Sequence, residues 1–142
     1  MSLISVTRLR LRSWLYFPPF VLNSMRSAKQ AAAAQGNLAV RLLRDREKAF
    51  WTMTAWSGEA EMKAFMSAGA HGAVMRKLLD WCDGAALTHW MQEGASLPTW
   101  EEGHRRLQQE GRRSKLHHPS AAHTAFVIPA PTTGTTREQL VK

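Results

Sequence analysis

Ala49-Phe50-Trp51-Thr52-Met53-Thr54-Ala55-Trp56 is an uncharged run of aromatic, β-branched and small residues, and it reads as a strand. Successive side chains of a strand point to opposite faces, so Trp51 and Met53 fall on one side and Phe50 and Trp56 on the other. Large apolar groups on both sides mean that neither side of the sheet meets bulk water. Just upstream, residues 37–46 place Leu38, Val40 and Leu42 on one face. The polar residues Asp45, Arg46, Glu47 and Lys48 separate the two runs, which is the pattern of a hairpin.

Outward from this hairpin, residues 3–12 form another strand candidate. Leu9 and Leu11 alternate there with Arg8, Arg10 and Arg12, while Ile4 and Val6 fall on the arginine side, and a bulge would reconcile the two phases. Pro18 and Pro19 suit the first turn of a helix, where N–H groups have no helical partner to lose. Val21, Met25, Ala28 and Ala32 recur on one face of that helix, and Gly36 is a natural stop. After the hairpin, Ser57 is placed to cap a helix with Glu59 and Glu61 in its first turn and Met62, Phe65 and Met66 as its apolar stripe. A break near Gly69 precedes a helical run over 71–82 that carries Val74, Met75, Leu78, Trp81 and Cys82 on one side and ends at Gly84. Residues 85–92 then close the pattern as a strand containing Leu87, His89, Trp90 and Met91.

The order strand, helix, strand, strand, helix, strand predicts an α+β fold of ferredoxin-like βαββαβ topology. Helices cover one face of such a sheet, so the second apolar face must be covered by something else. A second copy of the chain, closing a dimeric α+β barrel, is the expected cover. Residues 1–97 are read as this barrel domain. Residues 98–118 are read as a C-terminal helix and basic extension, with Thr99 and Glu102 forming a capping box and Gly111 ending the helix. From Pro119 to Lys142 the chain turns to Pro, Thr, Ala and Gly, which predicts a disordered tail.

The chain's 142 residues suit one domain, and an apolar content of 44% is that of a globular protein. The net charge of +8 resides mainly in the flanks, in Arg8, Arg10 and Arg12 and in Arg105, Arg106, Arg112, Arg113 and Lys115. A nucleic-acid partner is not expected, because no aromatic residue interrupts the second basic run to stack on bases. The single cysteine, Cys82, cannot form an internal disulfide, and the chain is read as cytoplasmic. The apolar segment Ser13 to Leu22 is cut short by Pro18 and Pro19 and does not read as a secretory signal. No run of apolar residues approaches the ~20 needed for a membrane span.

The stretch Trp56-Ser-Gly-Glu-Ala-Glu-Met-Lys-Ala-Phe65, followed by Ser-Ala-Gly-Ala-His71, resembles the strand-to-helix passage of the antibiotic biosynthesis monooxygenase-like superfamily. With the element order, the resemblance covers roughly residues 3–92 and looks closest to proteins related to spheroidene monooxygenase. It implies a homodimer whose sheets pack face to face and an apolar ligand, aromatic, polyketide or carotenoid-like, held between each sheet and its helices. It also implies monooxygenase-type chemistry, either haem-dependent or cofactor-free. Haem-degrading relatives place their iron ligand at the position matching His71. They carry a Trp where this chain has Phe65.

His71 shares a helical face with apolar residues, which would aim its imidazole inward to move a proton or, if haem is bound, to ligate iron; a hydrogen-bonded helix-start histidine is the plainer alternative. His89 is the second catalytic candidate, or a residue that faces a dimer partner. Trp51, Trp56, Trp81 and Trp90, with Phe65 and Met75, are candidates to line the ligand, although core packing explains such residues equally well. Asn23 is a candidate anchor for a substrate oxygen or a simple surface residue. His104, His117, His118 and His123 have no compact metal-site spacing. Two rival readings stand beside the enzyme: a non-catalytic small-molecule or haem-binding protein of the same fold, and a nucleic-acid or anion-binding module built on the basic flanks.

Overall fold

The structure, a computed structural model, describes residues 1–45, 47–94, 96–131 and 137–142; the side chains of residues 69–73 and 137 lie outside the described set. The first strand, β1, runs Ser2–Leu11, and a 3-10 turn over Trp14–Tyr16 leads into α1, Phe17–Ala33. The hairpin is β2, Asn37–Arg44, with β3, Ala49–Trp56. Then come α2, Glu59–Met66, α3, Gly69–Trp81, and β4, Cys82–Gln92. The α+β, ferredoxin-like βαββαβ order read from the sequence is the order found.

The central sheet is antiparallel with strands in the order β4-β1-β3-β2. Alternation along β1 divides it into two faces. Leu3, Ser5, Thr7, Leu9 and Leu11 point toward α1 and α3, and Ile4, Val6, Arg8 and Arg10 point away. Ile4 and Val6 thus share the arginine side, and the expected irregularity is a register shift at Arg10/Leu11 against β4. Arg8 is tolerated on that side because its guanidinium lies 5.7 Å from the Trp51 ring centroid, and Arg10 pairs with Asp83 at 2.5 Å.

Two boundaries differ from the sequence reading. Gly58, not Ser57, occupies the N-cap of α2, and Ser57 instead donates its backbone N–H to the carbonyl of Gly36. Helix α3 gives way to β4 at Cys82 rather than at Gly84, because pairing of Cys82 with Leu11 extends the backbone earlier than the glycine would.

The larger difference lies on the second face. The expectation that a partner subunit covers Trp51 and Met53 is corrected by the chain's own C-terminal portion. Helix α4, Trp100–Glu110, is capped by Thr99 accepting from the N–H of Glu102 at 3.2 Å, and it lies across this face. Leu107 and Ile128 join Ile4, Val6, Trp51, Met53, Ala55 and Trp90 in one buried cluster, with Trp100 and Phe126 packed against it. At Gly103 a Cβ would sit 3.0 Å from the Met53 methyl, so the glycine permits the close approach of α4.

The remaining chain wraps the sheet. Strand β5, Arg112–Arg113, pairs with β4 at one edge, and residues after it cross to α3, where His117 donates its N–H to the Leu79 carbonyl. Where the composition predicts a disordered tail, the structure has a short helix, α5, Ala121–Ala125, and a strand, β6, Arg137–Leu140, on the free edge of β2. Residues 132–136, inside the predicted tail, lie outside the described set. Both edges of the four-stranded sheet are thereby covered in part, which shortens the exposed pairing templates.

Candidate functional site

Between the first face of the sheet and helices α1, α2 and α3 lies a cavity of about 490 Å³. That is within the size range of small-molecule sites. Its roof is Phe20, Ser24, Ser27, Ala28 and Ala31 from α1, Met62, Phe65 and Met66 from α2, and Val74, Met75 and Leu78 from α3. The floor is the sheet, and strand register arranges it in rows. His89, Ser5, Thr54 and Val40 lie side by side across β4, β1, β3 and β2, and Leu87, Thr7, Thr52 and Leu42 form the next row.

The floor therefore carries hydroxyls and one imidazole in a mainly apolar chamber. Thr54 accepts a hydrogen bond from the indole N–H of Trp56 at 2.9 Å, and that ring stacks on Phe65 at 5.3 Å. His89 has no hydrogen-bond partner among the described residues. The Ser27 hydroxyl in the roof is buried without one. Unpaired polar atoms facing an apolar cavity are costly when dry and are the groups a ligand's own polar atoms would meet.

The sequence candidates separate cleanly. Trp56, Phe65, Met75 and His89 line the cavity together. Trp51 and Trp90 lie on the opposite face, where Trp51 donates to Asp45 at 3.1 Å and Trp90 stacks under Arg106 at 4.7 Å. Trp81 packs with Leu11, Phe20 and Leu78 and under Lys77, outside the cavity. Asn23 donates its side-chain amide to the carbonyl of Pro19 at 2.7 Å and does not line the cavity. The His71 side chain lies outside the described residues.

Ser5, Thr7, Thr52 and Thr54 were not singled out from the sequence. Their signal is a pair of hydroxyl residues two apart on each of two strands whose other inward residues are apolar. Among the described residues no group of three or more His, Cys, Asp or Glu gathers as a metal site. Three of the four C-terminal histidines serve as staples. His104 bonds the Ile128 carbonyl at 2.7 Å, His117 meets Asp80 at 2.7 Å, and His123 accepts from the N–H of Ala85 while reaching Ser114. Cys82 is buried, and desolvation pushes its thiol up to about 12, so it is no nucleophile near neutral pH. No helix among the described residues is long and apolar enough to cross a membrane.

The β4-β1-β3-β2 sheet with helices on one face is the fold of the antibiotic biosynthesis monooxygenase-like proteins. A candidate antibiotic biosynthesis monooxygenase from Nitrosomonas europaea superposes with a TM-score of 0.59 at 10% identity, over 65% of this chain and 90% of that one. A protein of unknown function from the same organism gives 0.57 at 18% identity, over 69% and 95%. A variant of SnoaB, a cofactor-independent oxygenase from Streptomyces nogalater, gives 0.56 at 15% identity, over 69% and 98%. At these identities the likeness is one of fold. Among curated proteins no match was found. The chain belongs to the family described as a domain of unknown function, DUF3291, whose model matches residues 17–137 and so runs through α4 and most of the C-terminal wrap.

Proposed function

We propose that the chain binds an apolar small molecule bearing oxygen functions beneath its helices and performs monooxygenase-type chemistry on it, with His89 handling the proton. The observation that carries this is the place of His89. Its imidazole stands on the floor of an apolar cavity, beside Ser5 and in line with Thr54, without a protein partner among the described residues. A neutral imidazole there can take a proton from a hydroxyl-bearing ligand held on that row. Trp56 and Phe65 supply flat walls for an aromatic or polyunsaturated body. A polyunsaturated body would suit kinship with spheroidene monooxygenase-related proteins.

A monooxygenase step places one atom of O₂ on the ligand and releases the other as water. The two electrons come from the ligand itself when a CH₂ becomes a carbonyl, and otherwise from an added reductant. Haem, if bound, would need a protein ligand to its iron, and of the described cavity residues His89 and the methionines Met62, Met66 and Met75 could offer one. His71 would serve as iron ligand or second proton carrier on the strength of the resemblance alone. A homodimer through the second sheet face would require α4 and residues 126–128 to leave it.

The test is turnover under ¹⁸O₂ with aromatic polyketide phenols and carotenoid-like polyenes, read by mass spectrometry. One labelled oxygen in the product, lost in His89→Ala while ligand binding persists, is the expected result. Binding without label would make the chain a carrier of the same fold. A haemin titration separates the cofactor versions: a Soret shift abolished by His71→Ala or His89→Ala would bring haem in, and its absence leaves the cofactor-free chemistry.

A further inference from the structure

We infer that the molecule taken into the cavity is an amphipathic carboxylic acid, its apolar body under the helices and its carboxylate at the β4–β5 edge on Arg112; this rests on the cavity being the binding site proposed above. The charge around the cavity is one-sided. Among the described residues two cationic side chains, Lys63 and Arg112, line it, and no Asp or Glu does. Lys63 is already occupied by Glu59 at 3.1 Å. The Arg112 side chain makes no ion pair and no hydrogen bond among the described residues.

Strand register aims Arg112 at the cavity. It is paired with Leu87 of β4, a floor residue, so the two side chains share the cavity face. Arg113 alternates to the opposite face and is held by the carbonyl of Thr124. Ser114, two residues on from Arg112, again lines the cavity, with its backbone N–H spent on the Ala85 carbonyl and its hydroxyl without a partner among the described residues. Two residues along β4 from Leu87 on the same face is His89, so an acid seated on Arg112 lies on the His89 side of the chamber.

The guanidinium fork matches the planar carboxylate with two parallel N–H bonds. A single unpaired arginine neutralises a monoanion. A phosphate monoester dianion would need a second free cation, and Lys63 is engaged.

The experiment uses the full chain and cis-parinaric acid, whose fluorescence rises in apolar surroundings, against its methyl ester. The wild type is expected to bind the acid roughly five- to tenfold more tightly than the ester, the span of a rim-exposed charge-assisted contact. Arg112→Gln should remove that advantage and leave the ester within about twofold, which also shows that the variant is folded. Arg113→Gln, facing away, should leave both affinities alone. Equal binding of acid and ester by the wild type would overturn the inference and leave the cavity reading intact, as would an equal loss in Arg113→Gln. Failure of the wild type to bind either probe would remove both.

Discussion

The side-chain amide of Gln108 accepts a hydrogen bond from the backbone N–H of Ile128 at 2.8 Å, and its own NH₂ donates to the Phe126 carbonyl at 2.7 Å. This two-point clasp holds the C-terminal wrap against α4 and keeps the aromatic second face dry. Gln108→Ala should therefore cost about 1–3 kcal/mol, because two backbone groups lose their partner. Ile128→Asp, which places a charge in the same buried cluster, should expose the face. Increased binding of a hydrophobic dye and self-association in light scattering, relative to the intact chain, are the expected readouts; unchanged behaviour would show that the wrap does not protect this face.

Helix α4 is a layer of the core, and its removal of water from the sheet rests on two positions. Leu107 is fully buried, so Leu107→Ala should destabilise by about 2–5 kcal/mol in a denaturant titration. Gly103→Leu should cost about 1–3 kcal/mol by overpacking against Val6 and Met53. A neutral result at Gly103 would mean that α4 stands further from the sheet than it does in the structure.

Thr54 and Ser5 are register partners with different tasks. Thr54 satisfies the buried Trp56 indole, so Thr54→Val should cost about 1–3 kcal/mol through the orphaned N–H. The Ser5 hydroxyl has no protein partner among the described residues, so Ser5→Val should change stability by less than about 0.5 kcal/mol. Its effect should appear instead as weaker binding of ligands with an oxygen function, read by calorimetry against a hydrocarbon analogue of the same size.

Acid should loosen the C-terminal wrap. The hydrogen bond from His117 holds the Asp80 carboxyl below its usual range, and Arg105 and then Arg106 do the same for Glu102. A carboxylate with a lowered folded-state pKa contributes stability that is present above the ordinary carboxylate range and is lost as pH falls through the lowered value. Stability of the wild type should thus fall on the acid side more steeply than that of Asp80→Asn or Glu102→Gln. Denaturant midpoints compared across the acid range check this, and parallel profiles would contradict it.

Cys82 offers an independent probe of compactness. Burial raises its thiol to about 12, so a thiol reagent should label the folded chain very slowly and the unfolded chain at once. The sign for stability is opposite to that of the carboxylates. The folded state holds its proton where the unfolded thiol would ionise, so stability should decline as pH rises past the ordinary thiol range. Rapid labelling under native conditions would mean that the junction of α3 and β4 opens readily.

The sequence by itself determined the elements that periodicity encodes. The run 49–56, the hairpin before it, the proline-led α1 and the Thr99 cap of α4 all declare themselves in local patterns, and their order compels the ferredoxin-like sheet. It also showed that both faces of β3 are apolar, but burial says only that a cover exists. Which cover it is depends on contacts between residues distant in sequence, such as Gln108 with Ile128 and Gly103 with Met53, and only the tertiary structure decided that the chain covers itself. The same holds for the site. Tryptophan content cannot tell the cavity from the opposite core, because strand register sends Trp56 to one face and Trp51 to the other. Across four strands, that register also aligns His89, Ser5 and Thr54 into one floor.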